Sequence, residues 1–96
     1  MPKCQTERKI LRMEADTLGA AINAAVGAEL RGLRAKRGLT RPELHKITGL
    51  GISTIQRFEN GERSPDLQQL AVLLRALDTP MKVFVANALR DVAGIE

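Results

Sequence analysis

The sequence predicts an all-α fold of about five helices in a single domain of 96 residues. Two observations lead to this prediction. Apolar residues recur three or four positions apart in successive segments, which is the period of a helix with one buried face. Between these segments stand the residue types that begin or end helices, namely Gly, Pro, Ser, Thr and Asp. No run of about 18 apolar residues is present, so no membrane-spanning helix is expected.

The N-terminal third of the chain is predicted to hold one long helix. Residues 1–16 have too few apolar positions to define a period, so they are expected to form an arm or a short helix. From Thr17 the apolar positions are spaced by three or four up to Gly38: Leu18, Ile22, Val26, Leu30 and Leu33. Each internal glycine weakens a helix by about 1 kcal/mol relative to alanine, so a break near Gly27 is an alternative.

Two short helices joined by a glycine turn are predicted next. Thr40 and Glu43 have the spacing of a capping box, which begins the first of them, and Gly49 ends it. Leu44 and Ile47 are predicted to form its buried side.

The second short helix is predicted to start at Gly51 or Ile52 and to end at Asn60. Ile55 and Phe58 have the spacing that brings a pair of side chains into the core. Gly51 is an acceptable N-cap residue, although it offers no side-chain acceptor.

Two further helices are predicted in the C-terminal third. Residues 64–66, Ser-Pro-Asp, begin a fourth helix with these apolar positions: Leu67, Leu70, Ala71, Leu74 and Leu77. A C-terminal helix over residues 80–96 carries this apolar stripe: Phe84, Val85, Ala88, Leu89 and Val92. The stripe is larger than one small core requires, so it is predicted to be the dimer interface. Residues 81–85 are also β-prone, and a strand in a two-chain sheet is the alternative.

Basic residues are concentrated around the two short helices. Residues 31–63 hold eight basic and three acidic residues, a net charge of +5, whereas the rest of the chain carries −1. A helix-turn-helix presents its second helix to the major groove of DNA, and the cations around it bind phosphates. The combination of motif and charge predicts binding to double-stranded DNA.

The composition argues against several other functions. Trp and Tyr are absent, which disfavours the base stacking used by single-strand binders. Cys4 and His45 are the only residues of their types, so no internal disulfide, Cys/His zinc site or other metal site is expected. No cofactor is expected either, and no carboxylate pair or Gly-rich phosphate loop supports an enzyme. The N-terminus lacks the apolar stretch of a signal peptide, so a soluble, cytoplasmic protein is expected.

The span from about Glu29 to Leu77 resembles the Cro and λ-repressor type of helix-turn-helix, also called the XRE family. The matching features are L-R-G-L-R before Gly38, then P-E-L, F-E-N-G and S-P-D-L-Q-Q-L, at the family's spacing without a gap. The resemblance implies a compact five-helix fold, with the helix-turn-helix DNA-binding domain over residues 17–79 and the C-terminal helix over residues 80–96. It also implies a transcriptional regulator that binds a near-palindromic operator as a homodimer, most simply a repressor of the phage Cro, immunity-repressor or controller type.

The resemblance further implies roles for individual residues. It places base contacts at four residues of the second short helix: Ile52, Ser53, Thr54 and Arg57. Arginine can donate two hydrogen bonds to guanine, and isoleucine can pack on a thymine methyl group. The resemblance places phosphate contacts at Arg41, Asn60 and Arg63. Further candidates for phosphate contact in the same basic region are Thr40, Lys36 and Arg37, of which the last two rest only on their charge. Glu59 is paired with Arg34 in a structural ion pair between the first helix and the recognition helix.

The chain departs from the family pattern at two positions. His45 stands where the family usually has a small residue, so either the two short helices lie slightly apart or the imidazole turns toward the edge. A pH-sensing histidine and a merely accommodated one are both open at this point. Gly51 stands where the family often has Ser or Thr to cap the recognition helix.

The alternative function is that of an antitoxin. Such a protein binds a toxin through one surface and represses their shared operon through the helix-turn-helix. Residues 1–20 are the expected contact with the toxin in this alternative.

Overall fold

The structure is a computed structural model that describes the backbone of residues 2–92 and the side chains of residues 15–92. This part of the chain holds five α-helices and no strand, so the predicted all-α, five-helix fold is confirmed. The helices are α1 (Pro2–Lys36), α2 (Arg41–Thr48), α3 (Ile52–Glu59), α4 (Leu67–Ala76) and α5 (Met81–Ala88). None of the described helices is long and apolar enough to cross a membrane. Residues 93–96 of the predicted C-terminal element and the Cys4 thiol lie outside the described residues.

A core of aliphatic side chains around two phenylalanines holds the helices together. Helix α1 packs on α3 and α5, α2 packs on α3 and α4, and α4 packs on α5. Phe58 and Phe84 are each 1% exposed, and burial of such a side chain stabilises the fold by about 1.5–3 kcal/mol. The other members of this core are Leu30, Leu44, Ile55, Leu70, Leu73, Leu74, Leu77 and Ala88.

Helix α1 is continuous over 35 residues, so residues 2–16 are not a separate arm or short helix, and the predicted break near Gly27 is wrong. Gly32 has open space around it and only weakens the helix. Gly27 has a packing role. A Cβ atom there would lie 2.3 Å from the carbonyl oxygen of Phe58 and 2.8 Å from that of Glu59. The glycine therefore lets the backbone of α1 approach the C-terminal end of α3 closely.

The loop after α3 also lies against α1. Gly61 has a φ of 74°, a left-handed conformation that favours glycine, and a Cβ atom there would lie 3.1 Å from the Cα of Ala24. The Ser64 hydroxyl donates a hydrogen bond to the side-chain oxygen of Asn23. These contacts position α3 and its following loop on α1.

Ile47, predicted to be buried, and two of the apolar positions of the predicted fourth helix, Leu67 and Ala71, are exposed. Ile47 is 58% exposed, because α2 inserts Leu44 between α3 and α4 and turns Ile47 toward the outer side of α4. Leu67 is 78% exposed. It is the first residue of α4, which reaches the core only from Leu70 onward.

Helix α5 is shorter than predicted and packs inward. It ends at Ala88, and the predicted strand over residues 81–85 is wrong because these residues are helical. Phe84, Ala88 and Val92 are buried within their own chain, so the prediction of a dimer contact is wrong for these three. Their burial follows from the packing of α5 on α1 and α4. Of the predicted interface, Val85 is 40% exposed and Leu89 is half-buried, and a partner contact there stays a prediction.

Candidate nucleic-acid interface

Helix α2 begins and ends at residues suited to these positions. The Thr40 hydroxyl accepts a hydrogen bond from the Glu43 backbone N–H at 3.2 Å, and the Glu43 carboxylate accepts one from the Thr40 N–H at 3.1 Å. The bond from the Thr40 N–H to the carboxylate, and a further one from the Thr40 hydroxyl at 2.9 Å, lower the pKa of Glu43 below its usual value. At the other end, Gly49 has a φ of 78° and its N–H donates to the His45 carbonyl at 2.8 Å. The predicted capping box and the glycine stop are both present.

The turn between α2 and α3 is held by side chains of α2. His45 Nδ1 lies 2.7 Å from the Leu50 carbonyl oxygen, and since a carbonyl only accepts, Nδ1 carries a proton. The Thr48 hydroxyl donates to the Leu44 carbonyl at 2.8 Å and accepts from the Leu50 N–H at 3.2 Å. The histidine is therefore accommodated by a hydrogen bond to the turn, and a pH-sensing role for it stays a prediction.

Helix α3 has one buried face and one exposed face. Ile55 and Phe58 are each 1% exposed, which confirms them as its core residues. Of the predicted base-contacting residues, Ile52, Ser53 and Arg57 are exposed and Thr54 is half-buried. Within the described part of the chain, the Arg57 side chain forms no hydrogen bond or ion pair. Its guanidinium donors are therefore available to a ligand.

Glu59, at the end of α3, is a buried carboxylate surrounded by arginines. Its side chain is 1% exposed. Arg34 donates from Nε to Oε2 at 2.6 Å and from Nη2 to Oε1 at 3.0 Å, so the ion pair expected from the sequence is present. Arg41 Nε adds a bond to Oε1 at 3.1 Å, and Arg31 Nη2 donates to the Glu59 carbonyl at 3.2 Å and to Asn60 Oδ1 at 3.1 Å. This cluster joins α3 to both α1 and α2.

The cluster keeps Glu59 ionised. Burial raises the pKa of Glu59, but the hydrogen bonds and charges of Arg34 and Arg41 lower it by more, so the pKa lies below its usual value of 4.5. The hydrogen bond to Glu59 in turn raises the pKa of Arg34. Both groups are charged at neutral pH, so α3 is held by an ion pair in addition to apolar packing.

Comparison with known proteins assigns this arrangement to a family. Residues 25–83, more than half of the chain, match a family model described as a helix-turn-helix domain. The chain belongs to this helix-turn-helix family. The resemblance found in the sequence is thereby confirmed, and the matched region runs from the second half of α1 into α5.

The individual relatives are named as transcriptional regulators. The chain is 27% identical over 71 residues to the transcriptional regulator ClgR of Mycobacterium tuberculosis, in strain CDC 1551 / Oshkosh and in strain H37Rv. The aligned region is 74% of this chain and 63% of the relative, so the chain spans less than two thirds of that relative's length. Two crystal structures of the clp gene regulator ClgR from Corynebacterium glutamicum match with a TM-score of 0.70 at 26% identity. The matches cover 75% of this chain and 92% and 77% of the ClgR chains.

Most of the predicted phosphate-contacting residues are exposed or half-buried and stand near helix ends. Five of them lie near the ends of α1, α2 and α3: Lys36, Thr40, Arg41, Asn60 and Arg63. The Thr40 hydroxyl is already engaged in the capping box. Arg41 uses Nε for Glu59 and has a side chain that is 30% exposed, so its Nη donors are open to an anion. Contact of these residues with phosphate stays a prediction.

Arg37 has a structural role that the sequence did not indicate. Its Nε donates to the Leu77 carbonyl at 2.9 Å and its Nη2 to the Asp78 carbonyl at 3.2 Å. Carbonyl groups at a helix C-terminus lack hydrogen-bond donors within the helix. Arg37 supplies such donors at the end of α4. Two of its donors are therefore occupied, which weakens the prediction of a phosphate contact.

Two residues were missed as members of the interface region. Gln56 is exposed on α3, four residues after Ile52 and three after Ser53, and helical spacing alone would have placed it beside them. Arg31 orients Asn60 through their hydrogen bond. No sequence signal pointed to that bond, because it joins residues 29 positions apart.

Proposed function

We propose that this protein is a sequence-specific regulator of transcription that binds double-stranded DNA through α3, as a homodimer and most simply as a repressor. The observation that carries the proposal is the exposed, unpaired guanidinium of Arg57 on a helix whose other face is buried through Ile55 and Phe58. An arginine in this position can donate two hydrogen bonds to O6 and N7 of guanine in the major groove. The names of the ClgR relatives support the regulatory role.

The neighbours of Arg57 complete a surface suited to reading base edges. The Ser53 hydroxyl is exposed on the same helix, and Thr54 is half-buried beside it. Both hydroxyl groups can donate to and accept from bases or phosphates. Ile52 is 41% exposed without a polar group, and we assign it to apolar contact with a thymine methyl group.

The positive charges around α3 supply the part of the DNA affinity that does not depend on the DNA sequence. Residues 31–63 carry a net charge of +5. Arg41 stands at the N-terminus of α2, where the helix dipole already favours an anion. Arg63 and Lys36 are exposed with no partner among the described residues. We assign these cations to the phosphate backbone on either side of the groove.

Selection of bound sequences from random double-stranded DNA tests the proposal directly. We expect a near-palindromic consensus with half-sites about 34–36 Å apart, one helical turn of DNA. Binding should weaken with salt, with a log–log slope of about −0.9 per neutralised phosphate. A chain that binds no DNA, or binds it independently of salt, contradicts the proposal.

Variants of three arginines distinguish recognition of bases from sequence-independent electrostatic attraction to phosphates. Arg57→Ala should cost about 1–3 kcal/mol on the selected site and relax the preference at one base pair per half-site. Arg63→Ala should weaken binding to all sequences alike and make the salt slope shallower. Arg90→Ala, on the exposed chain after α5, is the matched control and should change neither quantity. Equal loss on all sequences from Arg57→Ala would reassign that residue to phosphate.

No observation favours the antitoxin alternative over this proposal. Most of the side chains in residues 1–20, its expected contact with a toxin, lie outside the described residues. That alternative stays a prediction. The proposed role is one of binding without catalysis, carried out in the bacterial cytoplasm where the DNA lies.

A further inference from the structure

Three charged side chains where α1, α2 and α3 meet carry an excess of one positive charge. Arg34 and Glu59 form a neutral pair, since Arg34 donates from Nε and Nη2 to the two carboxylate oxygens. Arg41 adds a third bond to the same carboxylate, and no second carboxylate in the described part of the chain pairs with it. The cluster as a whole therefore attracts an anion.

The excess charge lies on the member of the cluster that is most open to solvent. The side chain of Arg41 is 30% exposed, against 17% for Arg34 and 1% for Glu59. Its one side-chain hydrogen bond to the described residues runs from Nε, so the N–H groups of both Nη atoms remain for a ligand. An anion that approaches the cluster meets these groups first.

The bond to Glu59 also restricts the direction of these donors. A guanidinium is planar, so holding Arg41 Nε at 3.1 Å from Glu59 Oε1 leaves few orientations for the two Nη atoms. The carboxylate is itself fixed, because it is buried and receives two bonds from Arg34. The guanidinium of Arg41 is thus held by a rigid group at the end of its long side chain.

We propose that Glu59 is a positioning residue for DNA binding, which holds the Arg41 guanidinium so that its Nη groups meet a backbone phosphate. The inference rests on the proposed function and deepens it, because it gives a carboxylate a favourable part in binding a polyanion. A long side chain loses rotamer freedom when it binds, and one that is ordered beforehand loses less. Repulsion between the carboxylate and DNA is small, because Arg34 already neutralises the charge of Glu59.

Other arginines near α3 lack this support. The side chains of Arg57 and Arg63 form no hydrogen bond or ion pair with the described residues, so DNA itself must order them. Arg37 is held, but by backbone carbonyl groups at the end of α4. Arg41 combines a buried carboxylate as its anchor with Nη donors that are open to a ligand.

Removal of the buried pair as a unit tests the proposal without a change in net charge. The double variant Arg34→Met with Glu59→Met puts apolar side chains of similar length in place of an ion pair, an exchange that is often neutral or stabilising. Arg41 and the total charge stay the same. Binding to double-stranded DNA at fixed salt should nevertheless weaken by about two- to tenfold per subunit, the cost of ordering one long side chain.

The same double replacement in an Arg41→Ala background shows whether the effect passes through Arg41. It should not weaken binding further there, since no guanidinium is left to be positioned. Circular dichroism establishes that the compared variants are folded. Equal losses in the two backgrounds would mean that the pair acts only through the fold of α3, and they would overturn the proposal. Unchanged or tighter DNA binding by the double variant that retains Arg41 would overturn it as well.

Replacement of Arg41 by lysine keeps the charge but removes the planar group. A lysine has no Nη donors to present in a fixed direction, so Arg41→Lys should weaken DNA binding nearly as much as Arg41→Ala. Arg75→Lys, at an exposed arginine of α4 without a side-chain partner among the described residues, is the matched control and should leave binding unchanged. If Arg41→Lys binds as tightly as the wild type, charge alone accounts for the contact and the proposal is wrong. This comparison decides the question even if the double variant does not fold.

The Nε–H signal of Arg41 in NMR spectra separates the failure of this inference from the failure of the proposed function. The signal is identified by its loss in Arg41→Lys, and it should shift when inorganic phosphate is added to the wild type. The double variant should need a higher phosphate concentration for the same shift. If the wild type binds no DNA but shows this difference, the positioning stands and the proposed function is wrong. If the wild type binds DNA and the phosphate response is equal in both proteins, the positioning is wrong and the function stands.

Discussion

Gly27 of α1 lies so close to Phe58 of α3 that a single added carbon atom would reach 2.3 Å from the Phe58 carbonyl oxygen. Backbone atoms on both sides make the contact, so no side-chain rotation can relieve it. The approach brings α1 within reach of Glu59, whose carboxylate receives two hydrogen bonds from Arg34. The absence of a side chain at Gly27 thus sets the distance between α1 and α3.

Gly27→Ala should lower the free energy of unfolding by about 1–3 kcal/mol, the usual cost of overpacking, although alanine is the better helix former. Gly32→Ala in the same helix meets nothing within 4 Å and should stabilise the protein by up to about 1 kcal/mol. Urea unfolding of both variants measures the difference. Stabilisation by both substitutions would mean that α1 and α3 lie farther apart.

Removal of either partner of the Arg34–Glu59 pair should destabilise the protein by about 3–5 kcal/mol, because loss of Glu59 leaves Arg34 unpaired and loss of Arg34 leaves the buried Glu59 carboxylate with Arg41 alone. The double replacement Arg34→Ala with Glu59→Ala should cost less than the two single replacements together. Arg57→Ala, an exposed arginine without a partner, is the control and should stay within about 0.5 kcal/mol. Additive effects in the cycle would show that the two residues are not coupled.

The stability of the protein should fall in acid because of Glu59. Its pKa is lower in the folded chain than the usual 4.5, so the stabilisation is present above pH 4.5 and is lost as the pH falls through the folded pKa. The variant Glu59→Gln should be less stable at neutral pH and should lose less stability below pH 4.5. Thermal unfolding of both proteins across this range checks the sign, and parallel curves would count against the assignment.

Phe84→Asp should unfold the chain, because Phe84 is 1% exposed in the core and an unpaired carboxylate there has no compensating partner. Val85→Asp, one residue later and 40% exposed, should leave the chain folded. Circular dichroism at 25 °C distinguishes the two. A folded Phe84→Asp monomer would instead restore the interface that the sequence predicted for α5.

Local features were readable from the sequence. The spacing of Ile55 and Phe58, the capping box at Thr40 and the glycine stop at Gly49 depend on residues within one or two helical turns of each other, so helical geometry alone predicts them. The ion pair between Arg34 and Glu59 was also expected, although it came from the resemblance to a family and not from spacing. These features were enough to predict the fold class and the exposed face of the recognition helix.

Other features depended on which surfaces of the helices meet, and only the tertiary structure decided them. Periodicity marks the apolar side of a helix but not how deeply each residue is buried, which is why Ile47 was predicted to be buried and Phe84 to lie in a dimer interface. Arg37 donates a hydrogen bond to the Leu77 carbonyl, 40 positions later in the sequence, because the fold brings the end of α4 close to the residue after α1. Gly27 was predicted only to weaken α1, because the contact that requires a glycine there is made with α3, a helix distant in the sequence. A sequence records local preference, whereas burial and close approach are properties of pairs of elements, and those are determined only when the helices pack together.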